Sequence, residues 1–149
     1  MYKHLNQVLT ALTLVAWLMV PATQAQSIML KANIPFDFVV GEKRLPSGEY
    51  HVKSLNPVLT QIESKDARST AIALTTGMQA AKISDVGKLV FNCYGDYYFL
   101  SRIWAPSSDV GRQLPKSRLE REVAWRTSTG GITIIAAKSP AKKSLPGNE

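Results

Sequence analysis

Lys88-Leu89-Val90-Phe91-Asn92-Cys93-Tyr94-Gly95-Asp96-Tyr97-Tyr98-Phe99-Leu100-Ser101-Arg102-Ile103-Trp104 is the stretch from which the fold is read. Aromatic and β-branched residues fill both halves, and Gly95-Asp96 separates them. Two such runs around a two-residue loop that begins with Gly describe a β-hairpin with a type II′ turn. Leu89, Phe91 and Cys93 alternate onto one face, which places this hairpin at the centre of the core. Tyr94, Tyr97 and Tyr98 flank the turn and form a candidate aromatic platform of the kind that stacks on sugars or bases. Cross-strand aromatic pairs also stabilise a hairpin for its own sake, by about 0.2 to 1 kcal/mol each.

Toward the N-terminus the same period of two recurs. In Ile34-Pro35-Phe36-Asp37-Phe38-Val39-Val40, Ile34, Phe36, Phe38 and Val40 share a face, and Pro35, which has no amide hydrogen, assigns the strand to an edge or a bulge. Gly41-Glu42-Lys43-Arg44 and Leu45-Pro46-Ser47-Gly48 read as turns. Glu49-Tyr50-His51-Val52-Lys53 resumes the alternation with Tyr50 and Val52 inward and His51 outward. Val58–Glu63 and Ser69–Leu74 read as two more strands, joined by the polar link Ser64–Arg68. Gly77–Gly87 fits neither period and reads as a loop.

Toward the C-terminus, Ala105–Gly111 reads as a loop. Ser117-Arg118-Leu119-Glu120 then matches a capping box, in which the Ser oxygen accepts from the amide three residues on and the Glu side chain reaches back. The pairs Arg118/Glu122 and Glu122/Arg126 stand at helical spacing, as do Leu119 and Val123. A short helix over 118–126 follows, too short to hold in water unless its Leu119/Val123 face docks on the sheet. The competing reading is a strand through Val123 and Trp125. Ile132–Ala137 reads as a last strand. The expected architecture is mainly β, about seven antiparallel strands in a sandwich or small barrel with one short helix.

The two ends have different compositions. Residues 1–25 carry a single charged side chain, Lys3, ahead of the apolar run Val8–Val20 and the small-residue end Pro21–Ala25. This is the plan of a cleaved secretory signal. The run of about 13 residues spans roughly 20 Å as a helix, short of the roughly 30 Å hydrocarbon core of a bilayer. Residues 26–137 then form one β-rich domain. Residues 138–149, with Pro140, Pro146, Gly147 and three lysines, have little to bury and read as a disordered basic tail. No transmembrane segment is expected after signal cleavage, and the exported chain belongs in the periplasm, on the cell surface or outside the cell.

Chemistry is sparse. The 149 residues hold one Cys and two His, one of them within the signal. A lone Cys93 cannot close an internal disulfide and reads as a buried, inert thiol. No Gly-x-Ser-x-Gly elbow, His-Glu-x-x-His helix, Cys-x-x-Cys or phosphate loop occurs. No catalytic residue, metal site or cofactor is assigned. A carboxylate-dependent hydrolase would have to draw on Asp37, Glu49, Asp96 and Asp109, and Asp in turns commonly serves the backbone. His51 on an exposed strand position is an ordinary surface His.

The charge balance is informative. The formal net charge is +7, of which Lys3 supplies one. Arg112, Lys116, Arg118 and Arg121 gather around the helix and make a candidate polyanion-binding cluster. Nucleic acid is not expected as the partner of an exported chain without a recognition motif. An anionic envelope polymer or another exported protein fits the compartment.

Three stretches carry a resemblance: Ala32–Gly41 with Leu45–Tyr50, then Tyr94–Leu100, then Gly111–Ser117 with Glu120–Glu122. In order and spacing they resemble a family of short exported bacterial proteins of the acidobacterial type, for which no activity is established. The Leu45-Pro46-Ser47-Gly48-Glu49-Tyr50 turn is also similar to that of transthyretin-like and carboxypeptidase-regulatory-like domains, a resemblance that implies a sandwich. The functional expectation is an exported, non-enzymatic β-domain that binds or organises an envelope or extracellular component. Its alternative is a self-assembling subunit that pairs through an edge strand, either the one with Pro35 or Ile132–Ala137.

Overall fold

A computed structural model describes residues 27–138. The signal segment and all of the tail beyond Lys138 lie outside the described residues. Among the described residues the fold is mainly β: eleven strands in two sheets, with one helix and no closed barrel. The strands are β1 (Ser27–Ile34), β2 (Phe38–Val40), β3 (Lys43–Leu45), β4 (Gly48–Ser54), β5 (Leu59–Ser64), β6 (Thr70–Leu74), β7 (Thr76–Ser84), β8 (Gly87–Tyr94), β9 (Tyr97–Trp104), β10 (Ser108–Gln113) and β11 (Gly130–Ala137). The helix, α1, spans Arg118–Arg126 between β10 and β11.

One sheet has the order β1-β4-β5-β6. The other runs β11-β8-β9-β10-β7, with β2 and β3 attached where β2 meets β9 in a parallel bridge at Val39 and Phe99. The sheets are stitched at both sides. β6 passes into β7 through the single residue Thr75. On the opposite side, β1 exchanges a pair of backbone hydrogen bonds with the chain just past β11, between Lys31 and Lys138. The result is a sandwich whose two layers share corners.

The β8–β9 hairpin forms as its sequence dictates. Tyr94 pairs with Tyr97 across Gly95-Asp96, and Gly95 takes φ +59 while Asp96 does not take positive φ, as a II′ turn requires. Leu89, Phe91, Leu100 and Ile103 point inward and meet Leu30, Ile34, Tyr50, Val52 and Ile62 from the other sheet in one apolar cluster. Burial of this kind contributes about 25 cal/mol per Å² of apolar surface and is the main force holding the layers together.

Four elements differ from the sequence reading. The predicted strand Ile34–Val40 is two strands, with Pro35-Phe36-Asp37 between them. The Asp37 carboxylate accepts from the Ser47 amide at 3.0 Å and fixes the bend, yet Ile34, Phe38 and Val40 all remain in the core with Phe36 packed on it. Lys43 and Arg44, read as turn, belong to β3, because Gly41 at φ +62 lets the chain reverse within two residues. The loop Gly77–Gly87 is largely strand β7. It pairs on one edge only and is exposed over most of its length, so no apolar alternation marks it. Ser108–Gly111, also read as loop, opens β10. Its periodicity is hidden because Gly111, a buried position, carries no side chain. The strand count rises accordingly, with β1 added at the N-terminal side.

Gly111 is glycine for a steric reason. Trp104, its cross-strand partner, lays its ring over the Gly111 backbone, and a Cβ there would collide with the ring atom Cε3. Replacing Gly111 by Ala must displace that ring, and overpacking of this type costs about 1–3 kcal/mol. Gly111→Ala should lower the thermal midpoint and change the near-ultraviolet dichroism contributed by Trp104, whereas an unchanged midpoint would mean that the ring swings aside without cost.

Candidate functional surface

The outer face of the larger sheet, away from the shared core, carries α1. Its sheet residues form rows across the strands: Ile134, Val90 and Arg102; then Ile132, Asn92, Phe99 and Val39; then Gly130, Tyr94 and Tyr97. Val39, Val90 and Phe99 are buried without belonging to the main cluster, so they form a second, smaller apolar patch on the helix side. The helix is anchored over this face by polar bonds. Ser117 accepts from the Glu120 amide at 3.0 Å, the expected N-cap. The Glu120 side chain does not complete a capping box. It is 4% exposed, and its carboxylate accepts from Asn92 Nδ2 at 2.8 Å and from the Tyr94 hydroxyl at 3.5 Å. An anion placed in the first helical turn also suits the helix dipole. Leu119 and Val123, expected to dock, are half-buried, and Glu120 is the most buried residue of the helix. On the opposite side the Arg118 amide donates to Glu42 Oε1 at 2.8 Å, which ties the helix start to the β2–β3 turn.

Of the candidate polyanion cluster, three members stand together and one stands apart. Lys116 Nζ donates to the Tyr94 hydroxyl at 3.3 Å and lies 6.0 Å from the centre of its ring. Arg118 pairs with Glu122 at 3.0 Å on an exposed face, and Arg121 Nη1 reaches the Lys116 carbonyl at 3.3 Å. Arg112 is elsewhere. Its guanidinium donates to the Pro57 carbonyl at 2.6 Å, to Ser54 Oγ at 2.9 Å and to Thr75 Oγ1 at 3.3 Å, so it clamps β10 to the corner where β6 becomes β7. These bonds occupy the planar fork that an anion would need.

The three tyrosines do not share a face. Tyr98 points to the inner side, where its ring stacks on Phe36 at 4.0 Å, and Phe36 in turn meets Phe91 edge-on. Tyr94 and Tyr97 lie on the outer side, each against Phe99. A shared platform can therefore draw only on Tyr94 and Tyr97, and the Tyr94 hydroxyl is already held between Glu120 and Lys116.

Trp125 is the residue that sequence reasoning passed over as a functional candidate. It is 92% exposed and sits on α1 among Arg121, Glu122 and Arg126, around a shallow depression of about 390 Å³. The signal was present: Arg121 and Trp125 are four apart and therefore adjacent on one helical face. A smaller cleft, about 220 Å³, lies at the other end of the same sheet between β7 and Trp104, with Lys82 and Lys88 in its wall.

The carboxylates considered for hydrolysis have other duties or stand alone. Asp37 holds the Ser47 amide and Arg44, and Glu49 pairs with Lys65 at 2.9 Å, which with that hydrogen bond lowers its pKa. Asp96 and Asp109 are exposed, and no group of three or more metal-ligating side chains occurs among the described residues. Cys93 is half-buried, with its sulfur 3.2 Å from Thr133 Oγ1. Comparison with protein-family models, curated proteins and solved structures returns no match. The surface is accordingly read from its own chemistry.

Two predictions follow from these contacts. Glu120→Ala leaves the Asn92 amide without its acceptor and unpins α1, at a cost of about 1–3 kcal/mol, whereas Glu120→Gln keeps an oxygen for Asn92 and should cost less; denaturant unfolding of the pair measures the difference. His51 lies on β4 between Lys31 of β1 and Glu63 of β5, and burial, then the Lys31 ammonium, hold its pKa below the usual 6.5. The unfolded chain then binds the proton first, so stability falls as pH drops through about 6.5 and levels off once the folded imidazole is also charged. Glu49 and Asp66, both held below their ordinary values, lose their contributions only at lower pH. Melting curves between about pH 7.5 and 5.5 should show a decline that His51→Gln removes.

Proposed function

We propose that this chain is an exported, non-enzymatic β-sandwich of the acidobacterial-type family whose motifs it resembles, and that it binds an anionic polymer of the cell envelope. The contact surface is the exposed side of α1. Trp125 supplies a large apolar plane, Arg121 and Arg126 supply positive charge beside it, and Lys116 and Arg118 add charge at the start of the helix. The observation that carries this reading is the 92% exposure of Trp125 on a helix fixed through Glu120. An exposed Trp of this kind, flanked by the guanidinium groups of Arg121 and Arg126, keeps a large apolar surface in water that a partner would bury favourably. Glu122 takes up part of the Arg118 charge, which leaves Lys116, Arg121 and Arg126 as the main electrostatic contributors.

A second reading, a self-assembling structural subunit, is favoured by the open edge of β11. For the first reading, the chain purified as its host processes it is sedimented with isolated envelope fractions at low and high salt. Co-sedimentation should weaken with salt, because screened charges attract less. Replacing Lys116, Arg121 and Arg126 by Ser should remove most of the attachment, and Trp125→Ser should lower what survives at high salt. Attachment that ignores both salt and these replacements would overturn the polyanion reading and point to a protein partner.

A further inference from the structure

Among the described residues the outer edge of β11 between Gly130 and Ala136 is uncharged, unpaired and its own complement. The Lys31–Lys138 bridge shows which way the backbone groups point: Lys138 directs both its N–H and its C=O away from β8, toward β1. Orientation alternates along a strand, so Gly130, Ile132, Ile134 and Ala136 present their N–H and C=O groups to the same outer edge. Gly131, Thr133, Ile135 and Ala137 direct theirs to β8. Among the described residues no strand pairs with the outer edge between Gly130 and Ala136. The side chains of Ile132 and Ile134 are 61% and 58% exposed on the outer face, and no residue of β11 carries a charge. Edge strands of soluble proteins usually carry a Lys, a Pro or a bulge that discourages pairing. This one has none of the three, and its ladder with β8 runs unbroken over all eight residues.

We infer that β11 pairs with β11 of a second copy, antiparallel and centred on Thr133, which joins two seven-stranded sheets into one continuous sheet. The inference rests on the self-assembly reading and specifies its contact. The occupant follows from the order of the edge residues. Read outward from Thr133, the set is Ile then Gly in one direction and Ile then Ala in the other, so a two-fold pairing sets isoleucine opposite isoleucine and small residue opposite small residue. In that register Ile132 faces Ile134 of the partner subunit, and Gly130 faces Ala136 of the partner subunit. Ile132 and Ile134 of each copy then exchange hydrogen bonds, and the ladder ends toward Ala136, where β1 comes alongside the end of β11 and Lys31 already occupies Lys138. The four isoleucines form one apolar stripe across the join, and no like charges meet within it.

Sedimentation equilibrium of the purified chain over a wide concentration range tests this. A dimer is expected, with Ile132→Lys/Ile134→Lys shifting the same concentration series to monomer because four ammonium groups would gather at the join. Both positions are exposed, so the variant should keep the wild-type circular dichroism and melting point. Ile72→Lys, on an exposed position of β6 in the other sheet, is the control and should leave the dimer intact. A wild-type monomer at the highest concentration would overturn both the inference and the self-assembly reading. A dimer that survives the double replacement, or that Ile72→Lys dissolves equally well, would keep self-assembly and overturn the β11 contact.

Discussion

The ring of Phe91 is where the two layers meet. Phe36 and Phe38 both approach it edge-on, at 5.3 and 5.6 Å between centres, and Phe38 in turn meets the Tyr50 ring at 5.0 Å. Edge-on pairs set the positive rim of one ring against the negative face of the next, so this chain of contacts has preferred angles as well as hydrophobic content. It links β8 through the bend and β2 to β4 of the opposite sheet. The far end is tied down as well, because the Tyr50 hydroxyl donates to the Pro46 carbonyl at 2.7 Å. Everything on the outer face depends on this arrangement, since α1 is anchored to Asn92, next to Phe91 on the same strand.

Much of this was legible in the residues. The hairpin, the β4, β5 and β6 strands and the helix with its Ser117 cap all announce themselves through local chemistry: turn residues, alternation and a polar cap. What escaped notice was long-range. β7 lacks alternation because neither of its faces is consistently covered, the start of β10 hides its buried position in a glycine, and pairing partners, which no local pattern encodes, make both of them strands. Pro35 correctly marked a disturbance, but the break into two strands depends on Asp37 reaching Ser47, ten residues away.

The surface chemistry divides along the same line. Clustering of Lys and Arg in sequence is a statement about neighbours along the chain, and Arg112 shows its limit, since four residues of separation from Lys116 carry it around a corner into three structural hydrogen bonds. The tyrosines separate for an equally simple reason. Tyr97 and Tyr98 are consecutive on a strand, and consecutive side chains take opposite faces. Glu120 illustrates the converse: a residue whose spacing from Ser117 suggests a local role is drawn to a partner on another element.

The bridge between Lys31 and Lys138 joins the two ends of the folded unit. Because β1 and the end of β11 run antiparallel there, Ser27 and Lys138 lie toward the same corner. A tension applied across these two points would load the bridge in the peeling direction, one hydrogen-bonded pair at a time, while the ladders of the central strands are spared. The corner thus acts as a clasp: it closes the sandwich on its open side and is the first seam to part under load.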